Sequence, residues 1–403
     1  MSQITKPVIT DETGQQIVAK LHTQNMLLDV IAGAELEHTS NFDEIAAIVK
    51  AGKAATVFSV GDQIVVPWTD TEANRTYTMP FDVVHMGDVT LADGETVPGM
   101  FLQMHYAHAF TVQFSNYQAI QYYEEGLPAG TYYFTIGATW GTYCIQGTKY
   151  NFTLTKPIPA GGQLCGIERA PEVAPAEWRI KTYASSTAEN PIETVTLTEG
   201  ESGTDIGTLL PANDGALSLQ RAAWGNNRYR DSAIRQYLNS AAAAGAWWTP
   251  QHNFDRPPAQ LAQKAGFLSG FQEDFLSVLK PVKMQTAANT LSDGGTLDTL
   301  YDTFFLPSLE QMYFEPQATA GDEGAAWEYW KRAAGESSPL QRLVDYPQMR
   351  AFAVENHASP QVVRLRSAGR TSASYAWSVN SAGRAYTGTA AYAYRFCAAC
   401  VIC

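Results

Sequence analysis

Hydrophobic and polar positions follow different periods in successive parts of the chain. In residues 12–32 the apolar positions recur at spacings of four and three and a glycine follows, which predicts an amphipathic helix. The positions are Ile17, Leu21, Leu28 and Ile31, with Gly33 after them. Because the polar Gln24 interrupts the seam, a helix packed on its own domain is favoured over a coiled coil. Self-association or attachment through residues 1–38 stays open.

From about Phe42 to Ala170 the period changes to that of short strands separated by turn residues. Tyr150, Phe152 and Leu154 alternate with polar neighbours, as expected for a strand with one buried face. The runs are ATVFSV (55–60), QIVVPW (63–68), FDVVHM (81–86), GMFLQMHY (99–106), FTVQF (110–114), GTYYFTI (130–136) and YNFTLT (150–155). A Pro-Ala-Gly turn occurs twice, in LPAG and IPAG. We therefore predict an antiparallel, jelly-roll-like β-sandwich over residues 39–170.

The stretch ERAPEVAPAEW, residues 168–178, has the composition of a linker. Beyond it, Ser232 is placed to cap a helix, GFLSGFQEDFLSVLKPV (266–282) predicts a helix ended by Pro281, and Ser308 with Gln311 has the spacing of a capping box. The runs VVRLRS, YAWSVN and RFCAACVIC then return to strands. Helices followed by strands predict an α+β domain over residues 171–403, and an α+β class for the chain.

The net charge of the chain limits the classes of partner that it is expected to bind. The chain has 403 residues, a net charge of −13 and a pI near 5.0, which argues against a general binder of nucleic acid or anionic membrane. The opening residues are polar, and no apolar run approaches the roughly 20 residues needed to span a bilayer. We expect synthesis in a bacterial cytoplasm without membrane insertion. No acidic residue follows Glu355, so the end of the sequence is locally basic.

The sequence gives only weak signals for a metal site or a catalytic site. His105 and His108, with His85, lack the spacing that turns two ligands to one face of a strand. Cys397, Cys400 and Cys403 lack a fourth ligand for a closed zinc site, so buried thiols are the favoured interpretation. No nucleophile elbow, phosphate loop or dinucleotide motif is present. We expect no metal, no cofactor and no enzymatic activity.

Several ordered motifs carry a family resemblance. GNNRYRDSAIRQYLNS (225–240), FLSGFQEDFLSVLKPV (267–282), FFLPSLEQMY (304–313) and RLRSAG, AWSVNSAG and YRFCAACVI near the end resemble the C-terminal domain of variable proteins diversified by retroelements in gut bacteria and their phages. The resemblance covers roughly residues 175–403. It implies a C-type-lectin fold of the formylglycine-generating-enzyme type, whereas the first residues resemble the start of phage structural proteins.

The resemblance gives a reason for the composition of residues 367–394, which we call the tail. In that family an error-prone reverse transcriptase alters adenines, so codons of the AAC type reach a set that excludes Lys, Glu, Gln, Met and Trp. Within the tail only Trp377 falls outside that set. A small-residue region that avoids charge for packing reasons would have a similar composition.

Tyrosine, serine, glycine and arginine are also the residues of antibody binding surfaces. The resemblance thus implies a ligand-binding, variable set, with a scaffold between its members. The variable set is Arg370, Thr371, Ser372, Ala373, Ser374, Tyr375, Ser378, Arg384, Ala385, Tyr386, Thr389, Ala391, Tyr392 and Tyr394. The scaffold is Trp377, Val379, Gly383 and Arg395, and Cys397 is left open as a variable position.

The resemblance implies a virion-associated protein that binds a bacterial surface protein or glycan and contacts other virion proteins. A trimer is expected, since repeated copies turn weak single-site binding into avidity. The alternative is a capsid or tail component with an invariant C-terminus and no variable binding site.

Overall fold

The computed structural model describes residues 41–139, 145–168, 178–212, 217–334 and 347–403. The predicted helix at 12–32, the segment 1–38 and most of the predicted linker lie outside these ranges. The described residues form several antiparallel sheets with few short helices, a β-rich α+β fold. Among them, no helix is long and apolar enough to cross a bilayer.

The helices are α1 (Phe42–Lys50), α2 (Ala54–Val57), α3 (Leu219–Trp224), α4 (Ala233–Leu238), α5 (Glu273–Ser277) and α6 (Glu328–Ala333). Short 3₁₀ turns occupy Tyr229–Asp231, Phe267–Gly270 and Pro347–Met349. The first strands are β1 (Gln63–Asp70), β2 (Arg75–Thr90), β3 (Thr96–Met104), β4 (Val112–Gln113), β5 (Ala119–Tyr123), β6 (Gly130–Ile136), β7 (Lys149–Leu154), β8 (Gly162–Glu168), β9 (Arg179–Tyr183), β10 (Glu193–Thr196) and β11 (Thr198–Glu199). The later strands are β12 (Thr204–Leu209), β13 (Val282–Ala287), β14 (Leu297–Asp302), β15 (Phe304–Phe305), β16 (Ala351–Phe352), β17 (Pro360–Gln361), β18 (Val363–Ala368), β19 (Tyr375–Val379), β20 (Ala385–Thr389), β21 (Ala393–Tyr394) and β22 (Ala399–Ile402).

The largest sheet joins distant parts of the chain. Its order is β1-β2-β3-β22-β15, and β22 pairs antiparallel with β3, with Cys400 opposite Leu102. One apolar core runs from Phe42 to Phe114 and again from Tyr229 to Cys403. The predicted division into domains 39–170 and 171–403 therefore does not coincide with a boundary between cores, because the last strand completes the sheet that the first strands begin.

A β-sandwich is inserted between the two halves of this core. Strands β5, β8, β9 and β10 form one four-stranded sheet, and β6, β7, β11 and β12 form the other. Phe134, Phe152, Leu164 and Ile180 are buried between them. The two Pro-Ala-Gly turns lie side by side, since Leu127 and Ile158 exchange backbone hydrogen bonds of 2.8 Å. This sandwich spans residues 119–209, includes strands beyond residue 170 and contains one parallel pair, β6 with β12, whereas the strands predicted at 63–68, 81–86 and 99–106 belong to the main sheet.

The chain enters and leaves the sandwich at one junction. The amide of Gln118 donates to the carbonyl of Arg221 at 3.2 Å. Gly225 has φ +79°, and a Cβ there would lie 2.7 Å from the carbonyl oxygen of Ser115. This close approach requires glycine, which fixes the two crossing segments against each other.

Among the described residues, two elements precede β1, and both are helices. The predicted strand at 55–60 is wrong, because α2 occupies its first three residues. Helix α1 was not anticipated: Asn41 caps it, accepting from the amide of Asp43 at 3.0 Å, and Ile45, Ile48 and Val49 share its buried face.

Beyond the sandwich, the Ser232 cap is confirmed, since its hydroxyl accepts from the amide of Arg235 at 3.3 Å. Ser308 and Gln311 make both bonds of a capping box, at 3.0 and 3.1 Å, but in a series of turns instead of a helix. The helix predicted over 266–282 is divided into a 3₁₀ turn and α5.

Truncating β22 tests whether the sheet is one cooperative unit. Ile402 is fully buried. We expect Ile402→Ala to lower the free energy of unfolding by about 2–5 kcal/mol and to speed amide exchange in β3 as well as in β22. Val65→Ala, at a position 55% exposed in the same sheet, is the control and should change stability by at most about 0.5 kcal/mol. Unchanged exchange in β3 would contradict a shared unit.

Candidate functional site

The tail forms most of a three-stranded antiparallel sheet. β18, β19 and β20 are adjacent, and Tyr375 faces Thr389 while Val379 faces Ala385. The turn between β19 and β20 is closed by Asn380, whose side-chain oxygen accepts from the amides of Ala382 and Arg384. Gly383 adopts φ +84° there, a conformation that glycine reaches without strain.

A buried arginine holds this sheet from within. Arg364 is fully buried, and its Nη1 donates to the carbonyls of Ala376 and Gly388 at 3.1 and 3.0 Å. Its Nη2 donates to the carbonyls of Thr389 and Tyr392 at 2.8 and 3.2 Å. The guanidinium also lies 4.4 Å from the ring centroid of Tyr394. One side chain outside the tail thus fixes the backbone at four places in it.

Asn227 does the same for the loop between β18 and β19. Its Nδ2 donates to the carbonyls of Gly369, Ser372 and Tyr375 at 3.3, 2.8 and 2.7 Å. Its Oδ1 accepts from Nδ2 of Asn289 at 3.0 Å. Asn227, the second asparagine of the GNNRYRDS motif, therefore has a structural role. Its side chain is fully buried, and all of its hydrogen bonds go to the loop and to Asn289, which supports the loop.

Other side chains from outside the tail also bind its backbone. The hydroxyl of Thr290 donates to the carbonyl of Arg370 at 2.8 Å. The Nε2 of Gln113 donates to the carbonyl of Ala391 at 2.7 Å, and the Oε1 of Gln220 accepts from the amide of Ala373 at 3.0 Å. Because these bonds reach main-chain atoms, they do not depend on which side chain stands at the tail position.

Ion pairs brace these supports. Arg221 pairs with Asp293 at 2.6 Å, and both side chains are almost fully buried. Arg228 pairs with Asp298 at 2.6 Å, and this hydrogen bond raises the pKa of the guanidinium. Arg235 pairs in the same way with Asp302 at 2.7 Å. Arg221, which precedes the motif, thus connects α3 to the β13–β14 hairpin, and Arg228 and Arg235 of the motif connect the 3₁₀ turn at 229–231 and α4 to the same hairpin.

The predicted contact residues divide into two groups. Thr371, Tyr375, Arg384 and Tyr392 are exposed, and Arg370, Ser372, Tyr386 and Tyr394 are half-buried. Ala373, Ser374, Ser378, Ala385, Thr389 and Ala391 are buried. The second group is a correction to the predicted contact set, because side chains without accessible surface cannot meet a ligand. The scaffold residues Trp377 and Val379 are buried, and Arg395 pairs with Glu355 at 2.8 Å.

The basic character expected of the end of the sequence, where five arginines follow Glu355, is also corrected. Arg364 and Arg366 are buried, and Arg366 donates to the carbonyl of Leu306 at 2.8 Å and to Oε1 of Gln311. Arg370 bonds the carbonyl of Ala288, and Arg395 is ion-paired. Of the five arginines counted as basic, Arg384 is the exposed one.

Tyrosines dominate the accessible part. The rings of Tyr386 and Tyr394 are 6.3 Å apart, and those of Tyr392 and Tyr394 are 6.5 Å apart. Burial, with a hydrogen bond to Tyr394, raises the pKa of Tyr386. The ring of Trp224 meets Tyr392 edge-on at 6.0 Å. This arrangement offers rigid aromatic surface with hydroxyl groups and is suited to binding more than to acid–base chemistry.

The histidines have distinct environments. The Nδ1 of His105 donates to the carboxylate of Asp82 at 2.8 Å, and this hydrogen bond raises the pKa of His105. The ring of His108 packs against the aromatic rings of Trp68, Phe110 and Phe396. Burial holds the pKa of His108 well below its usual range. No group of three or more potential metal ligands occurs within the described ranges.

The four cysteines among the described residues are buried thiols. Cys165, Cys397, Cys400 and Cys403 are free and buried, and burial raises the pKa of each. Nucleophilic thiolates are therefore disfavoured at these four positions.

The family comparison covers part of the chain. A domain of unknown function, DUF6273, matches residues 208–400, from the end of β12 into β22. No curated protein and no solved structure matches the chain.

Removing the Asn227 amide tests its hold on the loop. We expect Asn227→Ala to leave three carbonyls without that donor, to cost about 1–3 kcal/mol in the free energy of unfolding and to raise amide exchange across residues 369–376. Asn190→Ala, at an exposed position, is the control and should change neither quantity. Exchange that rises equally in both variants would contradict the assigned role.

The two histidines should affect the pH dependence of stability in opposite directions. The pKa of His108 is lower in the folded protein than the ordinary value of about 6.5, so its contribution is present above that pH and is lost on acidification. We expect His108→Phe to take up fewer protons on unfolding, by up to about one, in denaturation series between pH 7 and 5.

For His105 the pKa is raised, so its contribution is present at low pH and is lost as the pH rises through the folded value. His105→Gln should therefore lose stability mainly at low pH and serves as the comparison of opposite sign. A slope unchanged in His108→Phe would show that His108 does not titrate differently in the two states.

Proposed function

We propose that this chain is a virion-associated ligand-binding protein. Its C-terminal region has a C-type-lectin fold, and its tail surface is diversified by a retroelement to bind proteins or glycans of the bacterial surface. The N-terminal segment attaches it to other virion proteins, and a trimer presents several copies of the surface.

One observation carries this proposal: the tail backbone is held by side chains that lie outside it. Arg364 and Asn227 together bind seven tail carbonyls, and Thr290, Gln113 and Gln220 bind further main-chain atoms. A surface that must accept many side chains needs this property, because its shape cannot depend on the residues that change. Antibody loops meet the same requirement with a rigid framework.

The accessible residues have the chemistry of a binding surface. Tyr375, the first residue of β19, is 41% exposed, and Tyr392, which follows β20, is 46% exposed. Both rings present a large aromatic area to solvent. Rigid tyrosine rings bury much area at small entropic cost. The half-buried Tyr386 and Tyr394 extend the same aromatic area, and Arg384 adds an exposed cation.

The burial of six predicted variable positions favours the competing proposal, an invariant structural component. Ala373, Ala385 and Ala391 are small and buried, so packing alone accounts for them. A diversified tail would then be restricted to the eight accessible positions, and the buried six would stay small.

Sequencing of a propagated population tests the proposal most directly. We expect substitutions at the codons of the accessible positions, with Asn227, Arg364 and Trp377 constant, and an adjoining near-copy of the DNA that differs at adenines. A uniform tail without a near-copy would leave the structural component as the better account.

Attachment to host cells gives the independent measurement. The double variant Tyr375→Ala, Tyr386→Ala should reduce attachment, because it removes aromatic contact area from the tail. Tyr301→Ala, at a tyrosine 40% exposed on β14, is the matched control. Equal attachment of both variants would count against a binding role of the tail.

A further inference from the structure

A cleft of about 950 Å³ opens between the inserted sandwich and the tail. Its walls come from β8 and β9, from α3 and from the segment 256–263, and Tyr392 of the tail completes it. Cavities of this size are typical of small-molecule sites. The expected variable set shares only Tyr392 with this cleft, so the cleft is a separate feature of the molecule.

Aromatic rings are concentrated on this cleft. Its lining includes Tyr117, Tyr183, Trp224 and Tyr392. Tyr117 and Tyr392 are 43% and 46% exposed, and they are two of the four exposed tyrosines among the described residues. Burial and, to a smaller extent, the nearby Tyr392 raise the pKa of Tyr117. Exposed rings on the two sides of a cleft form surfaces on which a flat, partly apolar ligand can stack.

Hydrogen-bonding groups stand among the rings. Gln263 and Glu189 line the cleft and are exposed, and their side chains bond no other described residue. Gln118 is 2% exposed; its Nε2 donates to Asp255 at 2.8 Å, whereas its Oε1 has no partner among the described residues. A buried acceptor left without a partner costs about 1–3 kcal/mol, so a site that keeps one is suited to a ligand or water that donates to it.

Arg256 adds a positive charge that no carboxylate of the described residues neutralises. Its guanidinium stacks 3.6 Å from the ring centroid of Tyr183 and donates to Oε1 of Gln163 and to the carbonyls of Ser185 and Ala188. These oxygens orient the group without cancelling its charge. The cleft is thus less acidic than the chain as a whole, whose net charge is −13.

We propose that this cleft binds a saccharide. Sugar rings have an apolar C–H face, which fits the rings of Tyr117, Trp224 and Tyr392, and hydroxyls at the edge, which fit the planar amide and carboxylate groups of Gln263 and Glu189. A nucleotide would need several cations for its phosphates, and the cleft supplies Arg256 and Lys181 against Glu189. The inference does not depend on diversification of the tail.

The test uses the full chain on a microarray of bacterial polysaccharide fragments, followed by titration of the array-positive oligosaccharide. We expect Tyr117→Ala to weaken its binding about tenfold or more, with Tyr117→Phe close to the parent, because the ring is kept. Ala262→Trp, at an exposed position in the lining, should fill the cleft and block binding without removing any contact.

Tyr301→Ala is the control, since Tyr301 does not line the cleft, and it should bind as the parent does. Tyr375→Ala removes an exposed ring of the tail and so distinguishes binding in the cleft from binding on the tail surface. Three results would overturn the proposal: no oligosaccharide bound, binding insensitive to Tyr117→Ala and Ala262→Trp, or binding lost in Tyr375→Ala but kept in Tyr117→Ala. The last result would place the sugar on the tail surface, and so would support the proposed function while rejecting this site. A uniform tail together with a sugar-binding cleft would contradict the proposed function and support this site.

Discussion

The buried guanidinium of Arg364 is the interaction on which the end of the molecule depends. Burying a cation is costly, and here the charge is met by four carbonyl dipoles and the face of Tyr394 without a carboxylate among the described residues. Burial lowers its pKa to about 10, so the group remains charged at neutral pH. Because all four acceptors belong to the tail, the cation and the tail conformation require each other: without the arginine the carbonyls lose their donor, and without the tail fold the charge loses its partners.

The second constraint is that the main sheet is completed by both ends of the described chain. β3 pairs with β22, so the strands at 63–104 and the strand at 399–402 share one hydrogen-bonded surface. The domain of unknown function matches residues 208–400, which include β15 and the first two residues of β22 but not β3, the other neighbour of β22. Without β3 one edge of β22 would be unpaired, so the matched region and the earlier strands depend on each other for a complete sheet.

Sequence patterns predicted elements well where a single local rule applies. β6 and β7 follow from alternation, because each has one buried face, and the Ser232 cap follows from the position of the serine. Helix α1 was missed, because nine residues hold few helical repeats and the following segment looks like a strand. The same limit applies to α5: Phe267, Phe271 and Phe275 recur at helical spacing, yet their rings meet edge-on at 5.0 Å and tilted at 5.4 Å across a break between a 3₁₀ turn and a helix.

The site could be predicted only in part, for a related reason. Composition identified the tail but could not show which of its faces is buried, since alanine and serine suit a packed strand as well as a surface. Arg364 and Arg366 looked like surface charge because their acceptors are main-chain oxygens, and a sequence does not mark those. The pairing of β3 with β22 spans about three hundred residues, so no local pattern could reveal that the predicted domain boundary crosses a sheet.

The junction at Gly225 has a consequence for how this architecture arises. The chain leaves the main core near Ser115 and returns beside it at Gly225, with Gln118 bonded to Arg221 between the two crossings. A segment whose two ends lie together can be gained or exchanged in a single genetic step while the host core stays intact. The sandwich is thus an insertion with adjacent ends. Chains of common ancestry could carry a different domain, or a short turn, between the positions of Ser115 and Gly225. Exchange of the module would replace most of one wall of the cleft while leaving the tail sheet and its arginine in place.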